Sequence, residues 1–246
     1  MSDHPFRYQR VLLKLSGEAV SGEGELGINP AALRATAKAI AKCAQAGMQI
    51  AVVPGGGNIV RGAALADAGL ITRESADQMG MLGTIINGVA LTHAIKEAGA
   101  PAILLSAAEV RGMAPLYSTV QAENALSHGS VVVLAAGTGQ PFFTTDTGSA
   151  LRAAQLGCDA ILKATKVDGV YSADPKTDPS AERFESISLA DAVARKLRVT
   201  DMTALTLCEE HGIDLVVFDF NAEGSLDRVL RGDTSVGTHV TASNPA

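Results

Sequence analysis

Apolar residues recur along this chain in two rhythms. Short unbroken runs rich in Val, Ile, Leu and Ala alternate with longer stretches in which apolar positions return every three or four residues. The unbroken runs predict strands at Val11–Leu15, Met48–Val53, Ala102–Leu105, Ser130–Ala135, Ala160–Lys163 and Asp214–Phe218. Such runs, without polar alternation, belong to strands buried on both faces. The longer stretches predict helices. One opens at Asn29-Pro30, a capping residue followed by a first-turn proline, carries Leu33, Ala37, Ile40 and Ala44 on one stripe, and stops at Gly47. A long helix begins near Ser75, where SADQ reads as a capping box, and ends at Gly99. Its Met79, Met81, Leu82, Ile85, Ile86, Val89, Ala90 and Ile95 occupy more than one face, so it either sits deep in the molecule or meets another subunit. Further helices are predicted over Thr119–His128, from Asp146 to Gly157, and over Thr200–His211.

This alternation gives a single α/β domain over residues 1–246, a mostly parallel sheet with helices on both faces. Residues 167–184, with several acids and two prolines, break the rhythm and read as a hairpin-and-loop excursion over one end of the sheet. Three of the strands end alike. VLLKLSGE (11–18), IAVVPGGGN (50–58) and VVVLAAGTGQPFFTTD (131–146) each pass from an apolar run into a polar turn built on glycine. Ligands of parallel sheets bind outside the carboxyl ends of the strands. Glycine there lets backbone N–H groups approach phosphate oxygens. Three such turns imply an extended, phosphate-rich ligand, and so nucleotide chemistry.

Composition narrows the classes. An apolar fraction of 47% with 19% charged residues supports a substantial core. No apolar run approaches the ~20 residues of a membrane span. The N-terminal MSDHPFRYQR lacks a signal-peptide core, so a cytoplasmic location is expected. Cys43, Cys158 and Cys208 are far apart and form no CxxC, which argues against disulfides and a structural zinc site. His128 and His211 each precede a glycine and suit helix C-termini. A net charge of −6 without a basic run disfavours a nucleic-acid polymer but not a mononucleotide.

The common nucleotide signatures fail. There is no GxxxxGK[ST], and GEGELG (Gly22, Glu23, Gly24, Glu25, Leu26, Gly27) matches G-x-G-x-x-G only formally. It starts several residues after its strand, and no acid follows about 20 positions on to hold a ribose. It reads as a surface loop or a ligand-responsive loop. Lys14, inside an apolar strand, either snorkels to water or aims its ammonium at phosphates held by the Ser16-Gly17 backbone. GGGNIVRG (55–62) offers more glycine than a plain turn needs, and a helix starting near Asn58 would turn its N-terminus and Arg61 toward an anion. TGQPFFTTD (138–146) joins hydroxyls, two aromatic rings and Asp146, which could simply cap the helix that follows.

KLSGE (14–18), VPGGGNIVRG (53–62), GTGQPFFTTD (137–146) and KATKVDGVYSADP (163–175) together resemble the bacterial-type UMP kinases of the amino-acid-kinase fold, in order and over nearly the whole chain. Pro54 stands where the family usually has an aliphatic residue, and Gln140 replaces a common Asn while keeping its amide. The resemblance implies a three-layer αβα sandwich and the reaction ATP plus UMP to ADP plus UDP, in the route to UTP and CTP. It places Lys14, Leu15, Ser16, Gly17, Gly57 and Arg61 on the ATP phosphates, and Thr165, Tyr171 and Asp174 at the adenosine end. It places Gly56, Asp77 and the segment Thr138, Gly139, Gln140, Pro141, Phe142, Phe143, Thr144 and Thr145 on UMP. Asp146 would organise the transfer centre with Lys14, and Asp201 is a further catalytic candidate. The resemblance also implies Mg²⁺ with ATP, no assigned protein metal ligand, a homohexamer, GTP activation involving the GEGELG loop, and UTP inhibition. Two other readings share parts of the pattern: an amino-acid or carbamate kinase, which has no reason to carry GTGQPFFTTD, and a nucleotide-binding storage or regulatory module without turnover.

Overall fold

The computed structural model describes residues 5–242 except 23, 176, 179 and 198. Its strands are β1 (Arg10–Leu15), β2 (Gln49–Pro54), β3 (Ala102–Ser106), β4 (Val131–Ala135), β5 (Ala160–Thr165), β6 (Ser186–Ser188), β7 (Asp214–Asp219) and β8 (Gly237–Thr241). They form one sheet in the order β3-β4-β2-β1-β5-β7-β8-β6, parallel except between β7 and β8. The helices are α1 (Glu18–Ser21), α2 (Pro30–Gln45), α3 (Gly62–Asp67), α4 (Arg73–Glu97), α5 (Thr119–Ser127), α6 (Thr145–Gln155), α7 (Leu189–Ala194), α8 (Met202–Glu210) and α9 (Ser225–Leu230). β4, β2 and β1 are consecutive in the sheet, so the three glycine turns lie side by side. The chain runs outward from β1 on one side and resumes with β5 on the other. Such a reversal opens a crevice at the carboxyl ends of the strands.

Period-two alternation divides β1, β2, β3, β4, β5 and β7 between two cores. Val11, Leu13 and Leu15 of β1 pack with Ile40 of α2, Leu91 and Ile95 of α4 and Val229 of α9. Leu12 faces the other layer, with Leu126 of α5, Ala150 and Ala153 of α6 and Leu205 of α8. Lys14 shares the face of Leu12 and therefore points toward α6. Cys43, Cys158 and Cys208 are free and buried, and burial pushes their thiols up to about 11, about 12 and about 12. Among the described residues no helix is long and apolar enough to cross a membrane.

The structure corrects several local expectations. α4 starts at Arg73, not near Ser75: Thr72 is the cap, and its hydroxyl accepts from the Ser75 N–H at 3.1 Å. Residues 56–59 form a turn and α3 begins only at Gly62, because the Asn58 side chain is buried and bonded elsewhere rather than free to cap. α6 is capped by Thr144, whose hydroxyl accepts from the N–H groups of Asp146 and Thr147, leaving the Asp146 carboxylate free for other partners. α4 is an outer-layer helix. It buries Ile85, Leu91 and Ile95 but leaves Leu82, Ile86 and Val89 56%, 49% and 46% exposed. The 167–184 excursion is a distorted hairpin joined by an antiparallel bridge between Tyr171 and Arg183.

Candidate active site

The strands aim two cations at one carboxylate. Lys14 of β1 and Lys163 of β5 are cross-strand neighbours in register. By the same alternation that turns Lys14 toward α6, Lys163 shares the face of Ile161. Like charges in adjacent register repel. Asp146, in the first turn of α6, lies between them: Oδ1 is 2.8 Å from the Lys14 ammonium and Oδ2 is 2.6 Å from that of Lys163. All three side chains are less than one-fifth exposed. Burial by itself raises the Asp146 pKa, but the charges and hydrogen bonds of Lys14 and Lys163 outweigh it and lower it to about 2. Thr200 donates to the same carboxylate at 2.9 Å, and Lys163 also donates to the Val199 carbonyl at 2.8 Å. Lys14 is thus neither snorkelling nor unpaired. Its ammonium is held at the mouth of the crevice.

Asp201 does not join this centre. It caps α8 through the Ala204 N–H at 2.9 Å and accepts from the hydroxyls of Thr144 and Thr147, tying the start of α6 to α8. Lys163 went unassigned in the sequence reading, although a signal was present. VLLKL and AILKA each place a lysine fourth in an apolar run, and only the pairing of β1 with β5 makes them neighbours.

A cavity of 660 Å³ opens beside Lys14. Of the residues expected to touch nucleotide it is lined by Lys14, Ser16, Gly17, Gly56, Gly57, Arg61, Asp77, Thr138, Gln140, Phe143, Thr144 and Thr145. The glycines are there for close approach: a Cβ on Gly56 would lie 2.5 Å from the Gly80 carbonyl of α4. Leu15 is buried in the core, and its carbonyl accepts from the Gly55 N–H. Gly139, Pro141 and Phe142 are outside the lining. Phe142 instead shapes the loop, with φ of 70° and its N–H donating to Asp77 Oδ2 at 2.8 Å. Asp77 is in the second turn of α4, and its other oxygen accepts from Arg73 at 2.9 Å. The acid in the first turn of α4, where the helix dipole favours a carboxylate, is Glu74. Ala136, at the exit of β4, also has a positive φ of 62° and donates its N–H to the Thr84 hydroxyl.

A second cavity, of 590 Å³, lies on the other side of Ser16, which lines both. Thr165 and Gly22 line it, as do residues the sequence reading did not single out: Glu18, Lys166, Phe220 and Asn221. Glu18 and Lys166 form an ion pair of 2.8 Å across it. Both cavities are of ordinary ligand size. Tyr171 and Asp174 line neither. Tyr171 donates to Asp168 at 2.7 Å, and the Asp174 carbonyl accepts from the Thr177 N–H at 3.0 Å within the excursion. In the 22–27 segment Gly22, Gly24 and Gly27 all take left-handed φ values, and Glu25 accepts from Asn29. Glu23 lies outside the described residues. Among the described residues no group of three or more His, Cys, Asp or Glu is placed to hold a metal ion.

The sequence profile of the amino acid kinase family matches residues 9–219. The chain belongs to the amino acid kinase family. Solved structures agree in detail. The UMP kinase from Bacillus anthracis is similar at a TM-score of 0.91 and 35% identity, covering 95% of this chain and 96% of that one. The UMP kinase from Ureaplasma parvum is similar at a TM-score of 0.89 and 36% identity, over 96% and 99%. An aspartate kinase from Synechocystis, 22% identical with a TM-score of 0.69, spans 95% of this chain but only 40% of its own, a likeness of fold alone. Within the amino acid kinase family, this chain thus matches the UMP kinases over full length on both sides.

Proposed function

We propose that this protein transfers the γ-phosphoryl group of ATP to UMP, giving ADP and UDP. The observation that carries the reading is the pair of nucleotide-sized cavities meeting at Ser16, with the Lys14–Asp146–Lys163 centre beside them. Full-length similarity to two UMP kinases supports the choice of acceptor. In this reading UMP fills the 660 Å³ cavity between α4 and the 138–145 loop. ATP enters from the Thr165 and Asn221 side and lays its phosphates along Ser16, Gly17, Gly57 and Arg61. Tyr171 and Asp174 would reach adenosine only if the excursion folds over it.

Phosphoryl transfer needs alignment and charge neutralisation more than covalent chemistry. The UMP phosphate oxygen is already anionic near neutral pH and needs no activated side chain. Lys14 and Arg61 supply positive charge to the moving group, while Asp146 orients Lys14 without touching substrate. Mg²⁺ would arrive as Mg-ATP, a hard cation satisfied mainly by phosphate oxygens and water. Asp201 is a positioning residue for the start of α6 in this scheme. A hexamer, GTP activation through the 22–27 segment, UTP inhibition, a cytoplasmic location and a place in pyrimidine nucleotide synthesis complete the proposal. The uncovered stripe on α4 supports self-association.

The test is ADP formation with Mg-ATP and, separately, UMP, CMP, dTMP, aspartate, acetylglutamate or carbamate. UMP-dependent ADP is expected. Turnover with aspartate or carbamate and none with UMP would overturn the assignment, and no turnover with any acceptor would favour a non-catalytic binding module. Lys14→Met should cost ~10²–10³-fold in turnover at saturating substrates, as for loss of one preorganised charge.

A further inference from the structure

Two buried asparagines lie behind the glycine turns and touch neither cavity. Asn58 and Asn87 are 3% and 0% exposed. Their side chains form a reciprocal pair. Asn87 Nδ2 donates to Asn58 Oδ1 at 2.6 Å, and Asn58 Nδ2 donates to Asn87 Oδ1 at 3.2 Å. Each amide then spends its other N–H on a backbone carbonyl: Asn58 on Gly27 at 2.6 Å, Asn87 on Gly55 at 2.7 Å. The Asn58 carbonyl accepts from the Gly27 N–H at 2.8 Å, so Gly27 is held from both sides. Gly17 is packed on the same spot, since a Cβ there would overlap the Asn58 amide.

Four segments therefore converge on one pair of amides: the exit of β1, the end of the 22–27 segment, the Gly55–Gly57 turn and α4. The pair also serves stability, since it supplies donors to the Gly27 and Gly55 carbonyls that an apolar replacement would leave without them. What amides add is direction, because each fixes one carbonyl in one orientation. Both Gly55 and Gly17 line the cavity assigned to UMP, and Gly17 is also among the residues along which the ATP phosphates are placed. Asn87 is the residue next to Ile86, which is exposed on the outer face of α4. Displacement of α4 or of the 22–27 segment would thus be felt at the turn.

We propose that Asn58 and Asn87 are positioning residues for phosphoryl transfer, acting through the Gly55 and Gly27 main chains to fix the phosphate turn. This rests on reading Gly55–Gly57 as that turn. The test is steady-state kinetics of Asn58→Leu, Asn87→Leu and the double variant, with thermal unfolding measured in parallel. Each single change should lower kcat by ~10- to 100-fold, the scale of a small misplacement of reacting groups. KM for UMP and ATP should move much less, and the double variant should be no slower than the slower single, as for residues acting as a unit. A lower unfolding temperature with unchanged kcat would overturn the proposal, as would losses that multiply in the double variant. If a leucine variant does not fold, Asn87→Ser, which leaves room for a water, takes the same readings. Amide exchange gives a readout free of activity: in Asn87→Ser, peptides over residues 22–29 and 55–61 should exchange faster while β4 is unchanged. Unchanged exchange there would overturn the pair's role even if the unaltered protein did not phosphorylate UMP.

Discussion

At the scale of single residues, the deciding feature is a carboxylate shared by two lysines. Asp146 without its lysines would be a buried, desolvated anion; the lysines without Asp146 would be two buried cations in register. Removing one member leaves an uncompensated charge, which costs far more than the pair contributes. Lys163→Met should therefore cut turnover by roughly 10- to 100-fold through misplaced Lys14, measured at saturating UMP and ATP; near-native turnover would remove Lys163 from the centre. The linkage to pH has a definite sign. The Asp146 carboxyl titrates at 3.8 ordinarily and at about 2 in the folded protein. Its charged form therefore adds stability that is complete above pH 3.8 and is lost as the pH falls toward 2. Asp146→Asn should lower the denaturant midpoint at pH 7 and make the decline between pH 4 and pH 2 shallower, as read from unfolding curves at several pH values. Parallel curves for the two proteins would show that Asp146 is not coupled to the lysines in solution. The lysines themselves were visible as interruptions of apolar runs; that they share one acid was not, because sequence spacing does not say which strands are neighbours.

At the scale of elements, the shape of the 660 Å³ cavity depends on how α4 grips the 138–145 loop. Asp77 accepts from the Phe142 N–H and from Arg73, and Phe142 holds a left-handed backbone conformation that a non-glycine residue adopts only when its surroundings enforce it. Asp77→Asn puts a second donor against one of these two donors. KM for UMP should rise about 10-fold, equivalent to ~1.4 kcal/mol, while KM for ATP stays close to its original value. Equal changes for both substrates would point instead to a general loss of α4. Boundaries were the least legible part of the sequence. SADQ has the spelling of a capping box, yet Thr72 takes the cap because the chain already turns into α4 three residues earlier. GGGN looked like a helix start, yet the Asn58 amide was drawn inward by Asn87. Asp146 looked like a cap, yet Thr144 does that work and leaves the carboxylate to pair with Lys14 and Lys163.

At the scale of the whole molecule, α4 exposes Leu82, Ile86 and Val89, spaced four and three residues apart, along one face of a single helix. Ile86→Lys should shift sedimentation toward smaller species at micromolar protein if this stripe is covered by a second copy; an unchanged sedimentation profile would place any assembly contact elsewhere. The sequence by itself determined the class of the fold and the three glycine turns that gather at the ends of β1, β2 and β4. Unbroken apolar runs of strand length, rich in Val and Ile and bounded by glycine turns, fit strands buried on both faces, and glycine at three strand ends has its physical use where a backbone must approach something closely. It also determined the family, because four motifs retain their order and spacing. The elements α1, α3, α7, α9 and β6 are too brief to show a period, and β8, GTHVT, lacks an apolar run. Tertiary structure alone decided which strands adjoin, and with that everything set by contact across the sequence: Lys163 beside Lys14, Asp201 binding α6 to α8, Phe220 and Asn221 walling the second cavity, and Asn87 reaching Asn58. Hydrophobic patterning is a one-dimensional record of burial, and it fixes which face of an element is inward. The identity of the neighbour on that face comes from the path of the chain through the sheet, which no local pattern contains.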